Sequence, residues 1–387
     1  MNIPAHRTIF TEEEILRAQL AIRDIMSTGQ MILGKYTELF EESYANLHNR
    51  KYGVAVASDT AGIEILLRTY GIGEGDKVLF PTNGFYGIIL PILRCKAEPV
   101  FFDIDEGTNL YAHASSLEEY MKKDPAIKAV ILMHTAGLVA STSREVSNLC
   151  KERGILCIED AAHAPGAKMN GEYAGSFGDA SVFSLYATKP INAGEGGMIL
   201  TDDANTASMA RVYRNYGRES SFGSGVHTVE GYSWRLPEIQ AAIGLNQVKR
   251  QDEIRAEREN IACNYFSFLY SLEAIGVKQF TMEVGSAPNW YRYLLLLPKH
   301  WTLADKQAMK ERVKEGWHVN LPGDVYEMLA HKQSLWKGKY DHLDFPVAND
   351  WVNRHFSLPI YNTLTLQEQK YIIKAVREGC EWVESRR

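Results

Sequence analysis

The chain has 387 residues, enough for a large domain with a smaller appendage, and its 45% hydrophobic and 23% charged residues are ordinary for a globular protein. A net charge of −6 offers no basic footprint for nucleic acid, no run of about 18 apolar residues reads as a membrane span, and MNIPAHRTIFTEEEIL lacks a charged-then-apolar leader, so a cytoplasmic, untethered protein is expected. The five cysteines (Cys95, Cys150, Cys157, Cys263, Cys380) are scattered without a C-x-x-C pair, which argues against a disulfide framework or a zinc site and fits a reducing compartment.

Thr11-Glu12-Glu13-Glu14 ahead of Ile15, Leu16, Ala18, Leu20, Ile22 and Ile25 predicts a capped amphipathic helix ending near Ser27-Thr28-Gly29. Leu39, Phe40, Tyr44 and Leu47 recur at helical spacing over residues 35–47. A strand-then-helix alternation follows. Short apolar runs at 54–57, 78–80, 99–104, 129–133, 155–158, 180–185 and 198–201 are separated by helix-like stretches such as 63–69, 116–123 and 142–153. Buried strands alternating with helices predict a mainly parallel α/β sheet covered on both faces, with any site at the carboxyl ends of the strands. Residues 238–272 read as one long charged helical region. Beyond it lie a strand-like run at 291–297 and helices near 304–315 and 366–383, so the chain divides into a large α/β domain, 1–250, and a smaller α+β domain, 251–387.

The chemistry concentrates at predicted strand ends. Lys189 leaves the 181–185 strand and precedes the glycine-rich Gly194-Glu195-Gly196-Gly197. A lysine that forms a Schiff base needs such a rigid setting, and its reference pKa of about 10.4 must fall there; a solvated loop lysine needs neither. Asp160 closes another strand, where a carboxylate needs a cation; the pyridinium nitrogen of pyridoxal phosphate is one, and the alternative is a cap on the next turn. Thr60 and Ala61 sit where strand turns into helix, a place suited to a phosphate and equally to a plain helix cap by Ser58-Asp59-Thr60. Ser184 offers a hydroxyl to the same anion, and Phe85 an aromatic face that stacks on a ring or simply packs. His134 also ends a strand and His163 lies one turn beyond Asp160, but three or four ligands at zinc-like spacing cannot be assembled, so no metal is expected. Gly71-Ile72-Gly73-Glu74-Gly75 follows a helix and lacks the third glycine of a dinucleotide loop; it reads as a turn.

Taken in order, Ser58-Asp59-Thr60-Ala61, Phe85, Glu159-Asp160-Ala161-Ala162-His163-Ala164, Ser184, Lys189 and Gly194-Glu195-Gly196-Gly197 resemble the DegT/StrS-type sugar aminotransferases, a fold-type I pyridoxal-phosphate family. The resemblance runs over residues 10–250 and continues weakly in Leu358-Pro359-Ile360-Tyr361. It implies a large, mainly parallel domain of the seven-stranded type and a small C-terminal domain. Lys189 would be the catalytic residue carrying the cofactor; Asp160 would face the pyridine nitrogen, Phe85 stack on the ring and His163 lie near its hydroxyl. Thr60, Ala61 and Ser184 would hold the phosphate. It also implies a homodimer with shared active sites, an amino donor such as L-glutamate, a keto-sugar acceptor, most readily a nucleotide-linked keto-deoxysugar of amino-sugar or lipopolysaccharide biosynthesis, and pyridoxamine phosphate as the alternate cofactor form.

Four segments depart from the family pattern, one of them the unusual loop Pro81 to Gly87. Gly231-Tyr232-Ser233-Trp234-Arg235 has Ser233 where members carry an asparagine that reaches the neighbouring subunit's phosphate. Ser58-Asp59-Thr60 replaces Asn-Gly-Thr, and His134-Thr135-Ala136-Gly137 replaces His-Leu-Tyr-Gly. These loops line the pocket, so keto-octulosonates and keto-cyclitols stay open as acceptors. Arg214, Arg235 and His134 are the substrate-contact candidates, Arg235 equally for the acceptor and for the donor's carboxylate. A sugar dehydratase, which carries histidine at the lysine position, and a non-catalytic regulator are the competing readings.

Overall fold

The computed structural model describes residues 1–219 and 225–387. Seven strands, β1 (Tyr52–Val56), β2 (Lys77–Pro81), β3 (Glu98–Phe102), β4 (Ile127–Met133), β5 (Leu156–Asp160), β6 (Ala180–Ser184) and β7 (Gly197–Thr201), form one sheet in the order β1-β7-β6-β5-β4-β2-β3. Their Val, Ile and Leu runs are buried on both faces, as a helix-covered sheet requires. The β2–β3, β2–β4, β4–β5 and β5–β6 pairs are parallel, whereas β7 runs antiparallel to both β6 and β1. The chain returns from β6 to β7 through the Lys189 loop without a crossover helix, so antiparallel pairing is the outcome. The carboxyl ends of β1, β2, β5 and β6 therefore share one edge.

Helices α1 (Glu12–Thr28), α2 (Lys35–Leu47) and α3 (Asp59–Thr69) follow the sequence pattern, with Thr11 and Glu14 completing a capping box on α1. α3 lies against the sheet because Gly62 has no side chain: a Cβ there would come within 2.5 Å of Val182 Cγ1. That contact sets the N-terminus of α3 over the strand ends. The segment after β2 is more regular than its loop-like sequence suggests, since Phe85 is the N-cap of α4 (Tyr86–Arg94). The single helical region expected over 238–272 is broken into Glu238–Lys249, Gln251–Phe268 and Tyr270–Glu273. The first break falls at Arg250, whose guanidinium turns aside to pair with Glu253 and with Glu14 of α1.

A second hydrophobic cluster gathers Tyr265, Leu295, Met309, Val313, Phe356, Ile372 and Val376 around a three-stranded antiparallel sheet, Lys278–Gln279, Tyr293–Leu296 and His355–Leu358. Two segments cross between the clusters. Ile3, paired with Val319, packs in this second cluster, and Tyr326, Leu329, Trp336, Tyr340, Phe345 and Trp351 pack in the main one. The second crossing brings residues 325–326 beside the carboxyl edge of the sheet. None of the described helices is long and apolar enough to cross a membrane.

Candidate active site

A cavity of about 450 Å³ opens at that edge, lined among others by Asp59, Thr60, Phe85, Asp160, His163, Ser184, Thr188, Lys189, Tyr291, Arg292 and Tyr326. Its floor is the Lys189 loop. Leu185 N–H donates to Gly196 O and Ala193 N–H to Leu185 O, each at 2.9 Å, and Lys189 N–H donates to Tyr186 O at 2.9 Å. Gly196, at φ 146°, permits this closure, because a Cβ there would meet Leu236 Cδ1 at 2.7 Å. Lys189 is half-buried, and its Nζ lies 4.8 Å from the centre of the Tyr291 ring, whose hydroxyl is 3.2 Å from Thr188 Oγ1.

Asp160 ends β5, is 3% exposed, and accepts a hydrogen bond from Ala162 N–H at 3.0 Å. Burial pushes its carboxyl above the usual carboxylate range, with the Ala162 hydrogen bond and the Lys189 charge opposing. Asp59, on the first turn of α3, is pushed well above that range by burial and by Asp160, and its Oδ1 has no hydrogen-bond partner. His163 accepts from Ala136 N–H at 3.3 Å and lies against the rings of Tyr291 and Tyr326, with centroids at 4.6 and 6.0 Å. Burial, then the charges of Lys189 and Arg292, hold it neutral, well below the ordinary histidine value. Phe85 stacks on Tyr326 at 6.4 Å.

Of the sequence-selected residues, Lys189, Asp160, His163, Phe85, Thr60 and Ser184 share this cavity. Ala61 lies beside it with its N–H donated to Ser58 Oγ at 3.1 Å, so in this structure that group caps α3. The substrate-contact candidates stand elsewhere. Arg214 is buried and bonded to Glu41 and to Ala55 O, on the far side of β1, because a buried guanidinium needs a carboxylate. Arg235 and Ser233 bond to each other at 2.6 Å, and Arg235 also to Asn215 Oδ1 at 2.8 Å, outside this chain's own cavity. His134 does not reach the cavity; its Nε2 is 2.8 Å from Glu159 Oε2 behind β5. Tyr291, Arg292, Thr188, Tyr326 and Asp59 line the cavity without having been singled out as site residues. Asp59 and Thr188 stand next to chosen positions, whereas the other three come from distant, aperiodic segments.

Glu159, next to Asp160 on β5, anchors the segment before β6, accepting backbone N–H groups from Gly175, Phe177 and Gly178 at 2.6–2.7 Å. Burial opposes its charge, but the His134 contact, Arg50 and the backbone donors outweigh that and hold its pKa below the ordinary value. A depressed folded value means the stabilisation is fully present above about pH 4.3 and is lost as pH falls through the folded pKa. Glu159→Gln is expected to cost about 3 kcal/mol in urea unfolding at pH 7, with the difference shrinking under acid conditions. An unchanged unfolding midpoint at pH 7 would contradict this.

The donor set fits pyridoxal phosphate. The cavity has the size of a small-molecule site. The first turn of α3, with Thr60 and Ser184 hydroxyls beside it, suits a phosphate. Among the described residues no cation lies within ion-pair distance of the buried Asp160, and a protonated ring nitrogen would supply one. A lysine and an aspartate beside a helix N-terminus at the carboxyl edge of a seven-stranded sheet of this order define a fold-type I pyridoxal-phosphate aminotransferase.

Comparison with known proteins gives the family. The model of the DegT/DnrJ/EryC1/StrS aminotransferase family matches residues 12–377. The chain is 31% identical to the spore coat polysaccharide biosynthesis protein SpsC of Bacillus subtilis, over 97% of this chain and 96% of that protein. It is 30% identical to a dTDP-3-amino-3,4,6-trideoxy-alpha-D-glucose transaminase of Micromonospora megalomicea, over 92% and 93%. The crystal structure of the aminotransferase TlmJ from Streptoalloteichus hindustanus superposes with a TM-score of 0.87 at 25% identity, covering 99% of this chain and all of the other. The chain belongs to the DegT/DnrJ/EryC1/StrS aminotransferase family and is a pyridoxal-phosphate-dependent enzyme.

Proposed function

We propose that this enzyme moves an amino group from an amino acid, L-glutamate, to a keto group of a sugar, most readily a nucleotide-linked keto-deoxysugar in amino-sugar biosynthesis. The observation that carries this is the convergence of Lys189, Asp160, Thr60 and Ser184 on one cavity in a chain of this family. Relatives named for polysaccharide biosynthesis and for a dTDP-sugar transaminase support the sugar acceptor. Bound in the cavity, pyridoxal phosphate supplies an electron sink for the pair released when the amino-bearing carbon loses its proton. Lys189 Nζ would hold the cofactor between turnovers and would take that proton. Asp160 would keep a proton on the ring nitrogen, Thr60 and Ser184 would bind the phosphate with the first turn of α3, Phe85 would stack on the ring, and His163, held neutral, would lie near the ring hydroxyl.

The working unit in this proposal is a homodimer. Ile15, Leu16, Leu20 and Met26 of α1, with Met31 and Leu39 nearby, are large apolar side chains left 40–68% exposed, more than an isolated chain leaves in one region. In the dimer Ser233 and Arg235, which miss their own chain's cavity, would serve the neighbour's. Leu16→Glu with Leu20→Glu is expected to shift the molar mass from dimer to monomer in light scattering behind gel filtration and to lower activity at least about 10-fold, through loss of the shared site. A wild-type monomer would contradict it.

The function is tested by adding L-glutamate to the holoenzyme, watching the cofactor absorption change, then adding a panel of keto-sugars with and without a nucleotide and identifying the aminated product by mass spectrometry. Amine product from a nucleotide-linked ketone is expected; product from a free keto-octulosonate or keto-cyclitol alone would redirect the acceptor, and water elimination without amine would overturn the transaminase reading.

A further inference from the structure

Three cations converge on Tyr291, and among the described residues none of them has a carboxylate within ion-pair distance. Lys189 Nζ and the Arg292 guanidinium each lie 4.8 Å from the centre of its ring. Behind it Arg258, 3% exposed, donates only to carbonyls, Trp290 O at 3.0 Å and Ile360 O at 3.2 Å. The Nε atoms of Arg258 and Arg292 are both shut from solvent and unpartnered. Partly buried positive charge without a counter-ion is costly, and a site that tolerates it is built for an anion.

The anionic groups that enter this cavity in the reaction proposed above are the cofactor phosphate, the two carboxylates of glutamate and the diphosphate of a nucleotide-linked acceptor. The cofactor phosphate suits the first turn of α3. Of the others, the α-carboxylate of the amino donor is one bond from the carbon whose proton Lys189 takes, so it lies nearest to Lys189 Nζ, whereas the side-chain carboxylate and the diphosphate are several bonds further from the reacting carbon. Arg292 is the other cation lining the cavity, and it shares the Tyr291 ring with Lys189. Asp59, Asp160 and Glu195, also on the lining, are acids and cannot take this role. A sugar ketone presents hydroxyls there and does not call for a guanidinium.

We propose that Arg292 binds the α-carboxylate of the amino donor by its paired N–H groups, with Tyr291 fixing its direction and Arg258 adding positive field from behind. This rests on the aminotransferase reading and names the residue that gives it a carboxylate-bearing donor. The first half of the reaction isolates it. Holoenzyme is titrated, without acceptor, with the best of a panel of L-amino acids, L-glutamate first, and with the amine left by removing its α-carboxylate, 4-aminobutyrate for glutamate. In Arg292→Gln the amino acid concentration giving half-maximal conversion of the cofactor band should rise about 10- to 100-fold, with a smaller change in the limiting rate. The concentration for the decarboxylated amine should not move, cofactor content should match wild type, and Arg292→Lys should recover part of the loss. Unchanged saturation in Arg292→Gln, an equal rise for both amines, or the shift appearing in Arg235→Gln instead would overturn the assignment. A wild-type holoenzyme that responds to no amino acid would remove the aminotransferase reading itself, and this one with it.

Discussion

Lys189→Ala is expected to remove turnover, a loss of at least about 10⁴-fold, because one amine both holds the cofactor and moves the proton. The fold should survive it. Lys189 sits half-buried on a loop whose closure is made by backbone hydrogen bonds from Leu185 and Ala193, and its side chain lies over the Tyr291 ring. Losing that contact costs about 1 kcal/mol. The variant should therefore unfold near the wild-type temperature and still bind pyridoxal phosphate, through Thr60, Ser184 and Asp160, with the absorption of free rather than lysine-bound cofactor. Measurable wild-type turnover would remove Lys189 from the mechanism; a variant that does not fold would contradict the view that the loop is held by its backbone.

Asp160→Asn has the second-largest expected effect, and its two consequences have opposite signs. An asparagine keeps the shape and an acceptor for Ala162 N–H but not the charge. Without a counter-charge for the ring nitrogen, kcat should fall about 10²- to 10³-fold and the cofactor should be held less tightly. The cofactor-free protein should respond the other way. Burial raises the folded pKa of Asp160, and Asp59 beside it is raised further, so ionising them at pH 7 works against the fold. Such a penalty is present above the folded pKa and disappears as pH falls below the unfolded value, where the carboxyl is protonated in both states. Asp160→Asn apoprotein should be at least as stable as wild type at pH 7 and indistinguishable below about pH 4. A destabilised apoprotein with undiminished kcat would reverse both parts of the argument.

Much of this site could be read from the chain because β5 and β6 each end on a chemically distinctive residue, Asp160 and Ser184, with Lys189 a few positions on. A parallel sheet brings such ends to one edge whatever lies between them. α4 was not legible: Tyr86–Arg94 is apolar nearly all round and contains Pro91, so neither periodicity nor propensity marks it as a helix. Arg214 and His134 looked like substrate contacts because their partners, Glu41 and Glu159, are 173 and 25 positions away, and an ion pair of that kind leaves no local trace. Arg292 was hidden for the converse reason. Within Tyr291-Arg292-Tyr293 it reads as one polar side chain in a strand, and only the fold shows that its Nε is buried with no hydrogen-bond partner among the described residues.

The most direct test of the central claim is to reduce the holoenzyme with borohydride, which fixes any lysine-bound cofactor in place, and to map the modified peptide by mass spectrometry. The pyridoxyl group is expected on Lys189 alone, within residues 181–197. A label on a different lysine, or cofactor that washes out unreduced from fully active enzyme, would contradict the account.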